Sequence, residues 1–193
     1  MKRSVKSQIK AINSFSGGSA FLEQMGRSEI LLTRERLAIL RKALGKEGPL
    51  SRLYHELVER ADGILRLPLL ERSFLGRRML PFSREALSRL TCLALVYRVN
   101  GGEPYRQRLE SELRVLCGLP DWNPDHFLDT AEMALAVALP LNWVSADLPE
   151  PLRQIARQTL VEKALVPGLN PEGAGNWWWN VAHNWNPVCH SGL

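Results

Sequence analysis

The chain has 193 residues, 45% of them hydrophobic and 23% charged, which is ordinary for a globular protein with one core or for part of a larger domain. Its formal net charge of +5 comes almost wholly from residues 1–27, and no other segment forms a basic stripe, which argues against a nucleic-acid partner. Three widely spaced cysteines without C-x-x-C spacing argue against a disulfide framework and a zinc site, and no metal or other cofactor is expected: Cys92, Cys117 and Cys189.

Residues 1–30 are predicted to form a flexible basic arm. The run Ser-Phe-Ser-Gly-Gly-Ser at residues 14–19 is typical of a flexible segment, and nothing periodic precedes it. No apolar stretch of the kind found in signal peptides lies before Ser14. No run of about 18 apolar residues occurs in the chain, so we expect neither a transmembrane helix nor a membrane partner.

Residues 31–193 are predicted to be one all-α domain, because no segment alternates between apolar and polar residues with a period of two. Thr33 is a predicted helix N-cap. Further helices are predicted to begin near serines, prolines and one aspartate: Ser51, Ser83, Pro104, Asp125 and Pro149. The helix from Asp125 is apolar nearly all round and is expected to end before Pro140, because proline lacks the backbone N–H.

More exposed helices alternate with more buried ones along this domain. Such a pattern favours helical hairpins arranged around a centre, with buried inner helices and amphipathic outer ones.

The last stretch, residues 176–193, has the most distinctive composition. It holds four of the six tryptophans and two of the four histidines, and it has no charged residue. Three adjacent tryptophans by themselves are equally well explained as core packing. Asn180, His183 and Asn184 have helical i, i+3 and i+4 spacing, so on a helix they would share one face and need polar partners. Flat apolar rings beside neutral donors and acceptors suit a sugar ring.

Two stretches carry a family resemblance. The first begins Asp-Trp-Asn-Pro-Asp-His-Phe-Leu-Asp at residue 121 and runs to Asn142-Trp143, and the second runs from Asn176-Trp177-Trp178 to His190-Ser191-Gly192. Both resemble the N-terminal helical domain of the heparinase II/III-like polysaccharide lyases. The resemblance implies an incomplete α/α toroid over residues 31–193. It also implies a β-sheet domain beyond Leu193, which would make this chain a truncated part of a larger periplasmic or secreted enzyme.

The activity implied by this resemblance is β-elimination at a uronic acid within an acidic polysaccharide. Such a site has to neutralise the sugar carboxylate and to move protons at C5 and O4. By resemblance, Asn184 would clamp the carboxylate and either His183 or His190 would be the base or proton donor. Asn142 stands where the family pattern has aspartate, and Trp185 stands where related alginate lyases have histidine. The catalytic tyrosine of the family would lie beyond Leu193.

Further residues are expected to bind the substrate. Three tryptophans are predicted to form walls of sugar subsites, and two asparagines and two residues of the first stretch complete the predicted set: Trp178, Trp179, Trp185, Asn180, Asn186, His126 and Trp143. For His126 and Trp143 the alternative is structural, with His126 capping or packing at a helix start. His55 is expected to be merely exposed.

Two other functions compete with a lyase. One is a glycan-binding or scaffold module without turnover, and the other is a purely structural helical-repeat protein, which the non-repeating tail disfavours.

Overall fold

A computed structural model describes residues 30–170 and 176–193 of the chain. All regular elements within these residues are helical, which confirms the all-α prediction. The α-helices are α1 Arg34–Leu44, α2 Pro49–Arg66, α3 Leu80–Asn100, α4 Glu103–Gly118, α5 Phe127–Val144, α6 Glu150–Leu160, α7 Val166–Gly168 and α8 Trp185–Ser191. A π-helical segment, Val161–Leu165, joins α6 to α7. The predicted flexible arm, residues 1–30, lies outside the described residues except for Ile30.

The starts of α1 and α2 show how local sequence sets helix boundaries. Thr33 caps α1 as predicted, since its hydroxyl accepts a hydrogen bond from the Arg36 N–H at 3.2 Å. The predicted start of α2 at Ser51 is two residues late, because Pro49 occupies the first turn and Ser51 accepts from the Gly48 N–H at 3.0 Å. Proline suits the first turn of a helix, where no intrahelical N–H bond is lost.

The predicted start of α3 at Ser83 is also wrong. The helix begins at Leu80, again with a proline, Pro81, in its first turn. Ser83 is fully buried, and its hydroxyl donates to a carboxylate oxygen of Glu132 at 2.6 Å. The serine therefore joins α3 to α5 instead of capping a helix.

Helix α5 does not end before Pro140, as the sequence predicted, but continues to Val144 with Pro140 buried inside it. A proline within a helix costs about 3 kcal/mol or more because it removes a backbone hydrogen bond. Here tertiary packing overrides that cost, since α5 and α3 form the most extensive helix pair in the described structure.

The inner and outer helices predicted from sequence can be told apart by burial. Helices α3 and α5 are buried on most sides, whereas α2, α4 and α6 each bury one face. The core between them consists mainly of aliphatic side chains from all five helices, with Trp122 as its largest member. The segment Pro124–Asp147, which contains α5, is long and apolar enough to cross a membrane, but 61% of its apolar 18-residue stretch is buried within the protein. Such burial is typical of a core helix.

A buried ionic cluster holds the connection between α2 and α3. The Glu112 side chain, on α4, is fully buried, accepts from the Leu70 N–H at 3.0 Å and pairs with Arg108 at 2.7 Å and Arg89 at 3.4 Å. Both guanidinium groups also donate to the Pro68 carbonyl oxygen. One carboxylate and two arginines thereby fix the start of a long connection that has little regular structure.

The far end of α5 binds the beginning of the described chain. The Asn142 side-chain oxygen accepts from the Ile30 N–H, and the Trp143 indole N–H donates to the Ile30 carbonyl, both at 2.8 Å. Two neighbouring side chains thus satisfy both backbone polar groups of Ile30.

Candidate functional site

The tail that follows residue 175 is not the single helix that its spacing predicted. Trp177–Asn180 is a 3₁₀ turn, the chain is extended at Val181, and α8 begins only at Trp185. Asn180, His183 and Asn184 are all exposed, but they do not share a helical face. The physical reason is local, because the His183 ring nitrogen Nδ1 accepts from the Trp185 N–H at 3.3 Å and starts the new helix there.

Trp178 anchors this tail to the core. It is fully buried, its ring centroid lies 4.9 Å from that of Phe127 on α5, and Ala131 and Cys189 complete the cluster. The fit is tight: a Cβ placed on Gly192 would lie 2.6 Å from Ala131. The prediction that Trp178 forms the wall of a sugar subsite is therefore corrected, since its ring is packing.

Two other predicted substrate-binding residues hold the tail together. The Asn186 side-chain amide donates to the backbone oxygens of Trp178 and Trp179, at 3.1 and 2.6 Å. The Trp179 indole N–H donates to the Gly168 carbonyl at 2.8 Å, and the ring stacks on Trp178. These hydrogen bonds use the side-chain N–H groups of Asn186 and Trp179 to stabilise the fold of the tail.

An open groove lies where the tail meets the start of α5. The ring centroids of Trp177 and Trp185 lie 4.8 Å apart, and those of Trp185 and His126 lie 4.7 Å apart in an edge-to-face arrangement. With the α2–α3 connection they enclose about 600 Å³. We call this the indole groove, and it is lined by Phe74, Gly76, Arg77, Asn123, Asp125, His126, Trp177 and Trp185. The two stretches that carry the family resemblance thus meet in one groove.

His126 fits both of the sequence interpretations. It occupies the cap position of α5, as a structural histidine would, and its ring also lines the indole groove. The side chain is only 13% exposed, and Nδ1 lies 3.4 Å from Oδ2 of the fully buried Asp129. The same carboxylate oxygen accepts from the Met79 N–H and the Asn123 amide, each at 2.7 Å.

Sequence reasoning missed the cation of the groove. Arg77 lies on the α2–α3 connection, which the sequence marked only as a link between helices, and it is exposed. The Asn123 amide donates to its carbonyl oxygen at 2.8 Å and so holds the connection against the turn before α5. Arg77 lines the groove, and a guanidinium has the planar geometry that suits carboxylates.

Other predicted site residues lie elsewhere. Trp143 is at the opposite end of α5 from His126, roughly 25 Å away along the helix axis, where it binds Ile30. Its assignment to the same substrate site is corrected. His183 lies near Trp177, with centroids 6.2 Å apart.

His190 packs edge-on against Trp178 and Trp179 at 4.9 and 5.1 Å. It is exposed, and its Nδ1 lies 2.7 Å from the Asn186 carbonyl oxygen. His183 lies before α8 beside Trp177, whereas His190 lies on α8 against Trp178 and Trp179. The two predicted catalytic histidines therefore contact different rings of the tail.

Burial raises the pKa of the three cysteine thiols. It raises the pKa of Cys189 to about 12 from an ordinary value of 9.0, and it also raises the pKa of Cys92 and Cys117. Since the thiolate is the reactive form, we expect all three to resist iodoacetamide at pH 8 in the folded protein and to react in urea, as measured by intact mass. Rapid labelling of Cys189 in the folded state would contradict this.

The same shift has a consequence for stability. A thiol whose pKa is higher in the folded chain binds its proton more tightly there. The stabilisation from Cys189 is therefore complete below pH 9 and is lost as the pH rises toward 12.

Among residues 30–170 and 176–193, no group of three His, Cys, Asp or Glu side chains is placed to hold a metal ion. The chain matches no protein-family model, and no curated protein sequence matches it.

Proposed function

We propose that this chain is the helical domain of a polysaccharide lyase that cleaves uronic-acid-containing glycans by β-elimination. In this proposal its inner and outer helices are part of an α/α toroid. The observation that carries the proposal is the indole groove, in which Trp177 and Trp185 offer apolar ring faces beside the Arg77 guanidinium and the His126 imidazole. Indole faces can stack on a sugar, and arginine can neutralise the sugar carboxylate, which makes the C5 proton more acidic.

The second candidate is a glycan-binding module without turnover. It is favoured by the position of His190, which packs on Trp178 and Trp179 and not in the indole groove. In both candidates the ligand is an acidic glycan. The residues that the resemblance assigns to the lyase reaction, Asn184 with either His183 or His190, lie outside the lining of the indole groove.

Arg77 provides the first test. Replacing it with glutamine is expected to weaken binding of an oligomannuronate roughly 10–100-fold, the loss typical of one charge-assisted hydrogen bond. Isothermal titration calorimetry at two salt concentrations would measure this. The matched control is Arg78→Gln, which removes the same charge from the neighbouring exposed residue, outside the groove lining, and should leave affinity nearly unchanged.

Two comparisons complete the test. Equal losses of affinity for Arg77→Gln and Arg78→Gln would show that the effect comes from net charge alone. If the wild-type protein bound a neutral cello-oligosaccharide as tightly as the oligomannuronate, this would contradict an acidic ligand. Turnover is followed by the far-ultraviolet absorbance of the unsaturated uronate formed from alginate or heparan sulfate. Binding without this absorbance supports the module.

A further inference from the structure

His126 and Asp129 lie close together at the start of α5, and the His126 side chain makes no hydrogen bond that caps this helix. Asp129 is fully buried on α5, and only its Oδ2 atom is used by the Met79 and Asn123 donors. Among the described residues, Asp129 Oδ1 and His126 Nδ1 are both buried without a hydrogen-bond partner. The unpartnered Nδ1 lies 3.4 Å from the other carboxylate oxygen, Oδ2, so a buried ring nitrogen and a buried carboxylate are neighbours at the start of α5.

This arrangement selects one tautomer of the neutral imidazole. A lone pair on Nδ1 would face the lone pairs of a carboxylate in a site with little water, which is unfavourable. A proton on Nδ1 instead points at the carboxylate, and a shift of a few tenths of an ångström completes a charge-assisted hydrogen bond. The other ring nitrogen, Nε2, is then left with a free lone pair, as in metal and catalytic sites where a carboxylate orients a histidine.

The ring is also fixed in direction toward the indole groove. The His126 and Trp185 rings are edge-to-face, with their centroids 4.7 Å apart and an interplanar angle of 69°, and both residues line the groove. The charged groups that share this region are Asp129 below the ring, Asp125 on the adjoining turn and Arg77 on the α2–α3 connection. An oriented base and a cation therefore line one groove.

Resting on the function proposed above, we propose that His126 Nε2 is the proton-accepting group of the indole groove and that Asp129 is its positioning residue. The ligand class is an anionic sugar, with its carboxylate on Arg77 and its ring on the indoles. This places the base on the turn before α5 and not at His183 or His190.

The proton transfer balances without a further reagent other than water. The C5–H bond breaks as an N–H bond forms at Nε2, and the C5–H electron pair becomes the C4–C5 double bond. The C4–O4 bond breaks with its electrons on O4, which takes a proton from water. The resulting hydroxide is neutralised by the imidazolium, so no electron donor or acceptor is needed.

Nitrogen NMR tests the pair without any ligand. In protein labelled with ¹⁵N-histidine, the neutral form of His126 is expected to be the Nδ1–H tautomer, with the signal assigned by its loss in His126→Gln. Asp129→Asn should lower the tautomer preference roughly five- to tenfold, the difference between a charged and a neutral acceptor. If that variant does not fold, the wild-type spectrum alone decides. An Nε2–H tautomer in the wild type overturns the proposal.

Acylation by diethyl pyrocarbonate, mapped by peptide mass, tests the role in the groove. His126 should be acylated although it is nearly buried, and an excess of oligomannuronate should slow this reaction at least fivefold while leaving His55 unchanged. His55 lies exposed on α2 and is the internal control.

The outcomes separate the two proposals. Protection of His183 or His190 without His126 leaves glycan binding standing and overturns the role of His126. No protection at any histidine, together with no heat of binding, overturns the proposed function as well. Protection of His126 with the Nδ1–H tautomer supports both.

Discussion

Replacing Glu112 with alanine is expected to lower the free energy of unfolding by about 3–5 kcal/mol, the usual cost of removing one partner from a buried ion pair. The carboxylate is fully buried, and its loss removes the ion pair of Arg108 and one of the two ion pairs of Arg89, which keeps its pair with Glu85. It also leaves the Leu70 N–H without its acceptor. The connection between α2 and α3 should therefore loosen together with the core beneath it.

Urea denaturation followed by far-ultraviolet circular dichroism measures this loss. The control is Glu103→Gln, which removes an exposed partner of Arg106 on the same helix and should leave the midpoint unchanged. A Glu112→Ala midpoint equal to that of the control would show that the cluster adds nothing to stability.

Two neighbouring tryptophans are expected to respond in opposite ways. Trp178→Ala should destabilise the protein by about 3–5 kcal/mol, as for other large-to-small changes in a core, because its fully buried ring joins the tail to Phe127. Trp177→Ala should change stability by no more than about 0.5 kcal/mol, because its ring is 53% exposed.

For glycan affinity, in contrast to stability, we expect an effect of Trp177→Ala, the variant that stays folded. Trp177→Ala should weaken oligomannuronate binding roughly three- to tenfold through the loss of one ring contact. Thermal unfolding and calorimetry on the same samples provide both numbers. A Trp177→Ala protein with wild-type affinity would remove this ring from the ligand site, and a stable Trp178→Ala protein would show that the tail is not held by its core contact.

The fold followed from the sequence where the signal was local. Thr33, Pro104 and Pro149 predicted the starts of α1, α4 and α6 closely, because capping and proline geometry depend on a few adjacent residues. Pro140 misled because the strength of packing against α3 cannot be read from the helix's own residues. Ser83 misled in the same way, since its partner Glu132 is 49 residues away.

The site divides along the same line. Composition marked the tryptophan-rich tail, and the resemblance marked His126, and these two parts do meet in the groove. Spacing could not show that Trp178 faces inward while Trp177 and Trp185 face the groove, because the tail changes from a 3₁₀ turn to an extended residue and then to a helix. Arg77 had no sequence signal, because its place in the groove depends on a hydrogen bond from Asn123 across 46 positions.

The hydrogen bonds of Asn142 and Trp143 to Ile30 close a loop of 112 residues along the chain. Closing so long a loop costs conformational entropy, and two hydrogen bonds to Ile30 offset part of that cost. These hydrogen bonds should therefore form late in folding, after α5 has packed into the core, and should be the first to break in local unfolding. Ile30 itself is held at the end of α5 remote from the indole groove.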